Sequence, residues 1–192
     1  MSRVNIKAGI KNIFAIPIVQ AELPADAAET LMNFYTPYLP SETGNATQHT
    51  DYNQDRDYGM HPILIESIKQ LSEQLMNTLY SDLYVPEPEY SYWIQDYKKN
   101  QYHHPHLHPN AILSGIYVLR SNDLGTPLTL KNPDNSRGYR TDLGEWYDLD
   151  PKLGRLYIWP SWLYHHVKPQ TDDDVIRTTF VFNIGGKEMI RE

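Results

Sequence analysis

EYSYWIQDY (89–97), HHPHLHPN (103–110) and AILSGIYVL (111–119) form the stretch whose reading decides the fold. The middle segment holds four of the chain's eight histidines. The flanking segments read as strands, being rich in aromatic and β-branched residues. In extended chain alternate side chains share a face, so His106 and His108 point the same way. His104 shares that face if the chain stays extended, and His103 does not. Two imidazoles on one face, about 6–7 Å apart along the backbone, can close on one transition-metal ion. A bare His-x-His also occurs in exposed loops that bind nothing, so its weight depends on the rest of the chain.

Two later segments add to it. WPSWLYHHVKP (159–169) brings His165 and His166 at the end of a strand that begins at Gly154. Adjacent residues point to opposite sides, so one of the two serves a site, and phase alone does not choose between them. A His-x-His pair plus one histidine from a distant strand makes a three-ligand set, which leaves coordination positions for small molecules. In VIRTTFVFNI (175–184), Ile176, Thr178, Phe180, Phe182 and Ile184 lie on one face. Val175, Arg177, Thr179, Val181 and Asn183 lie on the other. The first face suits a helix-covered outside. The second suits either a barrel interior that holds a ligand or a solvated surface. An inward Arg177 invites an anionic partner, either a bound carboxylate or one of Asp142, Glu145 and Asp148 in the loop before the preceding strand.

The N-terminal half reads differently. NIFAIPIVQ (12–20) is an apolar strand-like run in which Pro17 favours an edge position. A helix is expected over roughly 25–37, and a clearer one over 62–80. There Pro62 occupies the first turn, and Leu64, Ile68, Leu71, Leu75 and Leu79 recur at spacings of three and four. Further strands are expected at about 90–97, 111–120, 127–131, 154–160 and 175–184. Helices first and strands afterwards indicate an α+β fold with an antiparallel C-terminal half. Histidines beside strands suggest a small barrel or jelly roll with a site in its mouth. The expectation is a single domain over 1–192, with an N-terminal strand and supporting helices to about 86 and a jelly-roll core over about 88–186. The polar stretches 41–60 and 132–150 are candidate entrance loops.

Composition narrows the functions. A net charge of −7 argues against a general nucleic-acid binder, which needs a basic surface. The chain has no cysteine, which excludes disulfides, iron–sulfur clusters and thiol nucleophiles, so a metal site must use histidine and carboxylate. No apolar run approaches the roughly 18–20 residues that span a bilayer. MSRVNIKAGIKNIF (1–14) lacks the uninterrupted apolar core of a secretory signal, and a cytoplasmic location is expected.

Taken in order, Y-H-x-P-H-x-H-P-N (102–110), L-S-G-I-Y (113–117), W-P-S-W-L-x-H-x-V-x-P (159–169) and R-T-T-F-V-F-N (177–183) carry a resemblance. They resemble a family of iron(II)- and 2-oxoglutarate-dependent oxygenases found in bacteria and phages. The resemblance runs from about Trp93 to Ile184. It implies a double-stranded β-helix, cupin-like in shape, with N-terminal helices packed on the sheet. It also implies Fe(II) as cofactor, 2-oxoglutarate as cosubstrate and hydroxylation of a substrate the sequence does not identify. His106, His108 and His165 take the family's metal positions, and Arg177 takes the clamp on the far carboxylate of 2-oxoglutarate. Tyr97 is a candidate hydrogen-bond partner of the cosubstrate, and equally a core tyrosine.

The wider superfamily has Asp or Glu where this chain has His108. That departure leaves a three-histidine centre, another register using His103 or His104, or an inactive site as readings. Two competing functions stand beside the oxygenase. One is a three-histidine cupin-like enzyme that does not use 2-oxoglutarate, and the other is a non-catalytic jelly-roll module that binds a metal or ligand. Asn110, Ser114, Tyr157, Trp159 and Trp162 read as turn, wall and core residues.

Overall fold

The computed structural model describes residues 7–13, 16–39, 59–80, 88–122, 125–133, 144–174 and 177–186. In chain order these form β1 (Lys7–Ile13), β2 (Ile16–Glu22), α1 (Ala25–Tyr35), a 3-10 turn (Thr36–Tyr38) and α2 (Pro62–Leu79). Then follow β3 (Pro88–Tyr97), β4 (His103–His106), β5 (Leu113–Ser121), β6 (Leu128–Lys131), β7 (Trp146–Leu149), β8 (Arg155–Pro160), β9 (His165–Val167) and β10 (Arg177–Gly186). The strands make a six-stranded sheet, ordered β1-β2-β8-β5-β10-β3, and a four-stranded sheet, ordered β4-β9-β6-β7. Every pairing is antiparallel.

The helices cover one face of the larger sheet. The apolar stripe of α2 puts Leu64, Ile68, Leu71 and Leu75 in a buried cluster with Tyr117, Phe180, Phe182 and Ile184, while Leu79 is only partly buried at its edge. Pro62 opens that helix with a missing N–H that needs no partner there, and the His61 ring accepts from the Ile63 amide at 3.2 Å. A second cluster fills the space between the sheets. It joins Trp93, Tyr97, Ile116, Trp159 and Val181 of the larger sheet to Leu128, Leu130, Leu149 and Val167 of the smaller one. The alternation of β10 is therefore as expected for its described residues. Phe180, Phe182 and Ile184 face the helices, and Val181 faces the inter-sheet space. Val175 and Ile176 lie outside the described residues.

Residue 115 is where the larger sheet is tightest. A Cβ there would press into the Phe182 ring and stand 2.6 Å from the Tyr157 carbonyl oxygen, so only glycine fits.

The structure corrects the sequence reading in several places. The run 12–20 contains parts of two strands, and β2 is an interior strand, with β1 taking the edge. Pro17 is tolerated because the ladder to β8 begins only at Val19, while Pro17 itself is opposite Asn12 of β1. The first helix ends at Tyr35 and tightens into the 3-10 turn over Thr36–Tyr38. The short strands β4, β7 and β9 were not expected; each has only three or four residues, too few to show alternation. Most of the candidate entrance loops, 40–58 and 134–143, lies outside the described residues. No helix among the described residues is long and apolar enough to cross a membrane.

A candidate metal centre between the sheets

His106 ends β4 and His165 begins β9, and the two residues are paired across the smaller sheet. His108 follows just after β4, with its amide bonded to the Ser161 carbonyl at 3.0 Å. One ring nitrogen from each of His106, His108 and His165 falls within 4.8 Å of the others. Ring centroids are 4.2 Å apart for His106 and His165, 5.0 Å for His106 and His108, and 5.1 Å for His108 and His165.

Backbone carbonyls orient two of the rings. The Nδ1 of His106 lies 2.7 Å from the His104 carbonyl, and that of His165 lies 2.9 Å from the Leu163 carbonyl. A carbonyl only accepts, so both Nδ1 atoms carry the proton and both Nε2 atoms keep a lone pair for a metal. Burial pushes the pKa of His106 and of His108 down to about 4, with the neighbouring His103 acting in the same direction. His165 is lowered well below its ordinary value, again chiefly by burial. All three rings are neutral at pH 7, the form that binds metal.

The pair that phase could not separate is separated by packing. His165 is buried in the cluster, with Trp159 edge-on at 5.2 Å. His166 turns to the other side of β9, edge-on to Trp146 at 4.4 Å. The parity expected for the first histidines fails. The β4–β9 ladder shifts register between His103 and His106, and His103, not His104, packs against His106 with rings tilted by 32° and centroids 3.9 Å apart. His104 is exposed and packs edge-on to Tyr102 at 4.8 Å.

Arg177 lies in the same cavity. It is 1% exposed, and its Nε and NH1 atoms have no hydrogen-bond partner among the described residues. Tyr97, its register partner on β3, holds it through a side-chain hydrogen bond and through its ring, whose centroid is 4.7 Å from the guanidinium carbon. Burial lowers the pKa of Arg177, and Tyr97 pulls it back up. Of the carboxylates considered as partners, Asp142 lies outside the described residues, Asp148 accepts from Thr129 at 2.8 Å, and among the described residues lining the cavity none is acidic.

The cavity also takes in Trp93, Gln95, Ser114, Trp159, Thr179 and Val181. Its free volume is about 20 Å3, enough for a single water, so a larger guest must displace side chains. Trp159 forms the wall as expected, and Ser114 donates to Asn183 at 2.7 Å. Trp162 does not belong to the core; it is 45% exposed, with its indole bonded to the Tyr80 hydroxyl at 3.3 Å. Trp93 and Gln95 went unremarked in the sequence, although they share the parity of Tyr97 on β3.

Two antiparallel sheets closed over three histidines, with a buried guanidinium in the same cavity, define a double-stranded β-helix with a candidate metal site. Residues 91–183 match the model of the family described as "Putative 2OG-Fe(II) oxygenase". No curated protein matches the chain. Among solved structures, the fold is similar to that of a Pseudomonas putida prolyl-4-hydroxylase, with TM-score 0.57 and 16% identity over 88% of each chain. It is also similar to HygX from Streptomyces hygroscopicus, solved with nickel and 2-oxoglutarate bound. That match has TM-score 0.60 and 9% identity over 88% of this chain and 83% of the other. A prolyl hydroxylase from Trichoplax adhaerens, in complex with a hypoxia inducible factor peptide fragment, matches at TM-score 0.55 and 14% identity over 95% of this chain and 84% of that one. At these identities the likeness is one of fold.

Proposed function

We propose that the chain is an Fe(II)- and 2-oxoglutarate-dependent oxygenase that hydroxylates its substrate. His106, His108 and His165 are its metal ligands, and Arg177 with Tyr97 forms its cosubstrate anchor. The observation that carries this reading is the guanidinium of Arg177, buried in the histidine-lined cavity with Nε and NH1 unpaired among the described residues. A buried cation without an anion is costly, so the residue makes physical sense with a carboxylate beside it. A cupin-like metal enzyme without 2-oxoglutarate does not require such a clamp.

The residues fit both missing partners. Three neutral imidazole nitrogens suit a divalent first-row metal and leave positions free on it. The forked donors of Arg177 suit the distal carboxylate of a diacid. Fe(II) with 2-oxoglutarate supplies oxidative chemistry, consuming dioxygen and releasing succinate and carbon dioxide. The chain's own part is to hold the metal, to orient the diacid between the histidines and Arg177, and to keep water out with Trp93, Val181 and Trp159. The absence of an acidic ligand leaves the metal more positive than a two-histidine, one-carboxylate set would. The fold match to HygX, whose structure contains nickel and 2-oxoglutarate, supports the pairing of a metal and this diacid on the same scaffold. The test is anaerobic binding of Fe(II) and 2-oxoglutarate, followed by succinate release on admitting air. Metal binding without 2-oxoglutarate affinity would favour the cupin-like reading.

A further inference from the structure

The cavity holds more unpaired donors than Arg177. Gln95 is 3% exposed and its Nε2 has no hydrogen-bond partner among the described residues. Its orientation is set by chemistry. The Trp93 indole Nε1 lies 3.4 Å from the Gln95 Oε1, and an indole N–H can only donate, so the amide oxygen must face it. The amide nitrogen is then left over, inside a cavity that Gln95 lines. A buried donor with nothing to meet costs free energy unless a ligand supplies an acceptor.

Register places this amide between the two ends of the site. Along β10 the partners on β3 run Arg177 with Tyr97, Thr179 with Gln95, and Val181 with Trp93. Arg177 and Val181 are thus about 13 Å apart along the strand, with the Gln95 rung between them. The Trp93 ring reaches the histidines, its centroid 6.3 Å from that of His108. The Gln95 head is thus held beside Trp93 by its oxygen, with its nitrogen left over in the cavity.

We propose that Gln95 is a cosubstrate-positioning residue whose amide nitrogen donates to the carboxylate at the metal-chelating end of the diacid, with Trp93 fixing the amide. The inference rests on the oxygenase reading and adds to it: Arg177 holds the far carboxylate and Gln95 the near one. Such a donor selects an acceptor-bearing acid over a neutral chelator and sets the direction in which the diacid lies.

The experiment is calorimetric titration of the Ni(II)-loaded full chain with 2-oxoglutarate and with pyruvate, which keeps the keto acid but lacks the far carboxylate. Gln95→Leu should take up Ni(II) as the parent does and lose about tenfold or more in affinity for both acids. Its metal-free melting midpoint should change little, since the substitution removes an unpaired donor together with the long hydrogen bond from the Trp93 indole. Gln95→Glu, the closest isostere, should weaken both acids further by setting a carboxylate against theirs. Unchanged affinity for both acids, or a loss confined to 2-oxoglutarate, overturns the proposal. So does loss of Ni(II) uptake in both variants, which would mark a structural role. If the parent protein itself, loaded with Ni(II), does not bind 2-oxoglutarate, the oxygenase reading falls and this inference with it. If the parent binds and Gln95→Leu matches it, only this inference falls.

Discussion

The guanidinium carbon of Arg177 stands 4.7 Å from the centroid of the Tyr97 ring, and the two residues are register partners on β10 and β3. The ring stabilises the buried cation by its π face, an interaction strengthened where water is excluded. It leaves the Nε and NH1 donors unspent. Arg177→Ala should therefore keep divalent-metal binding and lose 2-oxoglutarate affinity by about 2–5 kcal/mol, as when one partner of a buried charge pair is removed. Arg177→Lys should restore only part of it, because an ammonium lacks the two-pronged geometry. Unchanged affinity in a folded Arg177→Ala protein would falsify the anchor.

His165 and His166 are adjacent, yet of the two only His165 joins the cluster with His106 and His108. His165→Ala should abolish stoichiometric metal binding. His166→Ala should leave it nearly intact, disturbing only the contact with Trp146. Metal content after gel filtration separates the two, and the reverse pattern would move the third ligand to His166.

The histidine cluster predicts a pH dependence with a definite sign. His106 and His108 titrate near 4 in the folded protein, against about 6.5 in the unfolded chain. Between those values the unfolded chain binds more protons, so stability falls as pH is lowered. The melting midpoint of metal-free protein should accordingly drop from about pH 6.5 toward pH 4. The slope should flatten in His108→Asn. A midpoint that does not fall over that range contradicts the neutral buried cluster.

Leu71 and Leu75 are at most 1% exposed in the cluster between α2 and the larger sheet. Truncating either to Ala should cost about 2–5 kcal/mol, by transfer and cavity terms together. Metal stoichiometry should be unaffected, because the cluster lies on the face of the sheet away from the histidines. Denaturant melts with metal titrations test both halves, and an unmoved midpoint in both variants would remove α2 from the core.

The elements legible in the sequence were those with enough length for periodicity to show. The stripe on α2 and the two faces of β10 follow from local backbone geometry; the first stands as read except for the partly buried Leu79, the second for Phe180, Val181, Phe182 and Ile184. Strands of three or four residues carry no such signal, which is why β4, β7 and β9 escaped. Pro17 misled for a related reason. Its missing N–H forbids a ladder on one side at one residue, and says nothing of the ladder to β8 that starts two residues later.

The sequence by itself determined the α+β order, the shared face of Arg177, Thr179 and Val181, and the supply of histidines without a cysteine alternative. Those properties depend on residue type and on the period of two or 3.6, both local. Only the tertiary structure decided that His165 rather than His166 meets His106 and His108, that His103 packs against His106 in place of His104, and that Gln95 shares a cavity with Arg177. Each depends on the register between strands far apart in the chain, and on a shift within the β4–β9 ladder. Register is set by how two sheets bury their apolar faces against each other, a balance over the whole core that no single segment encodes.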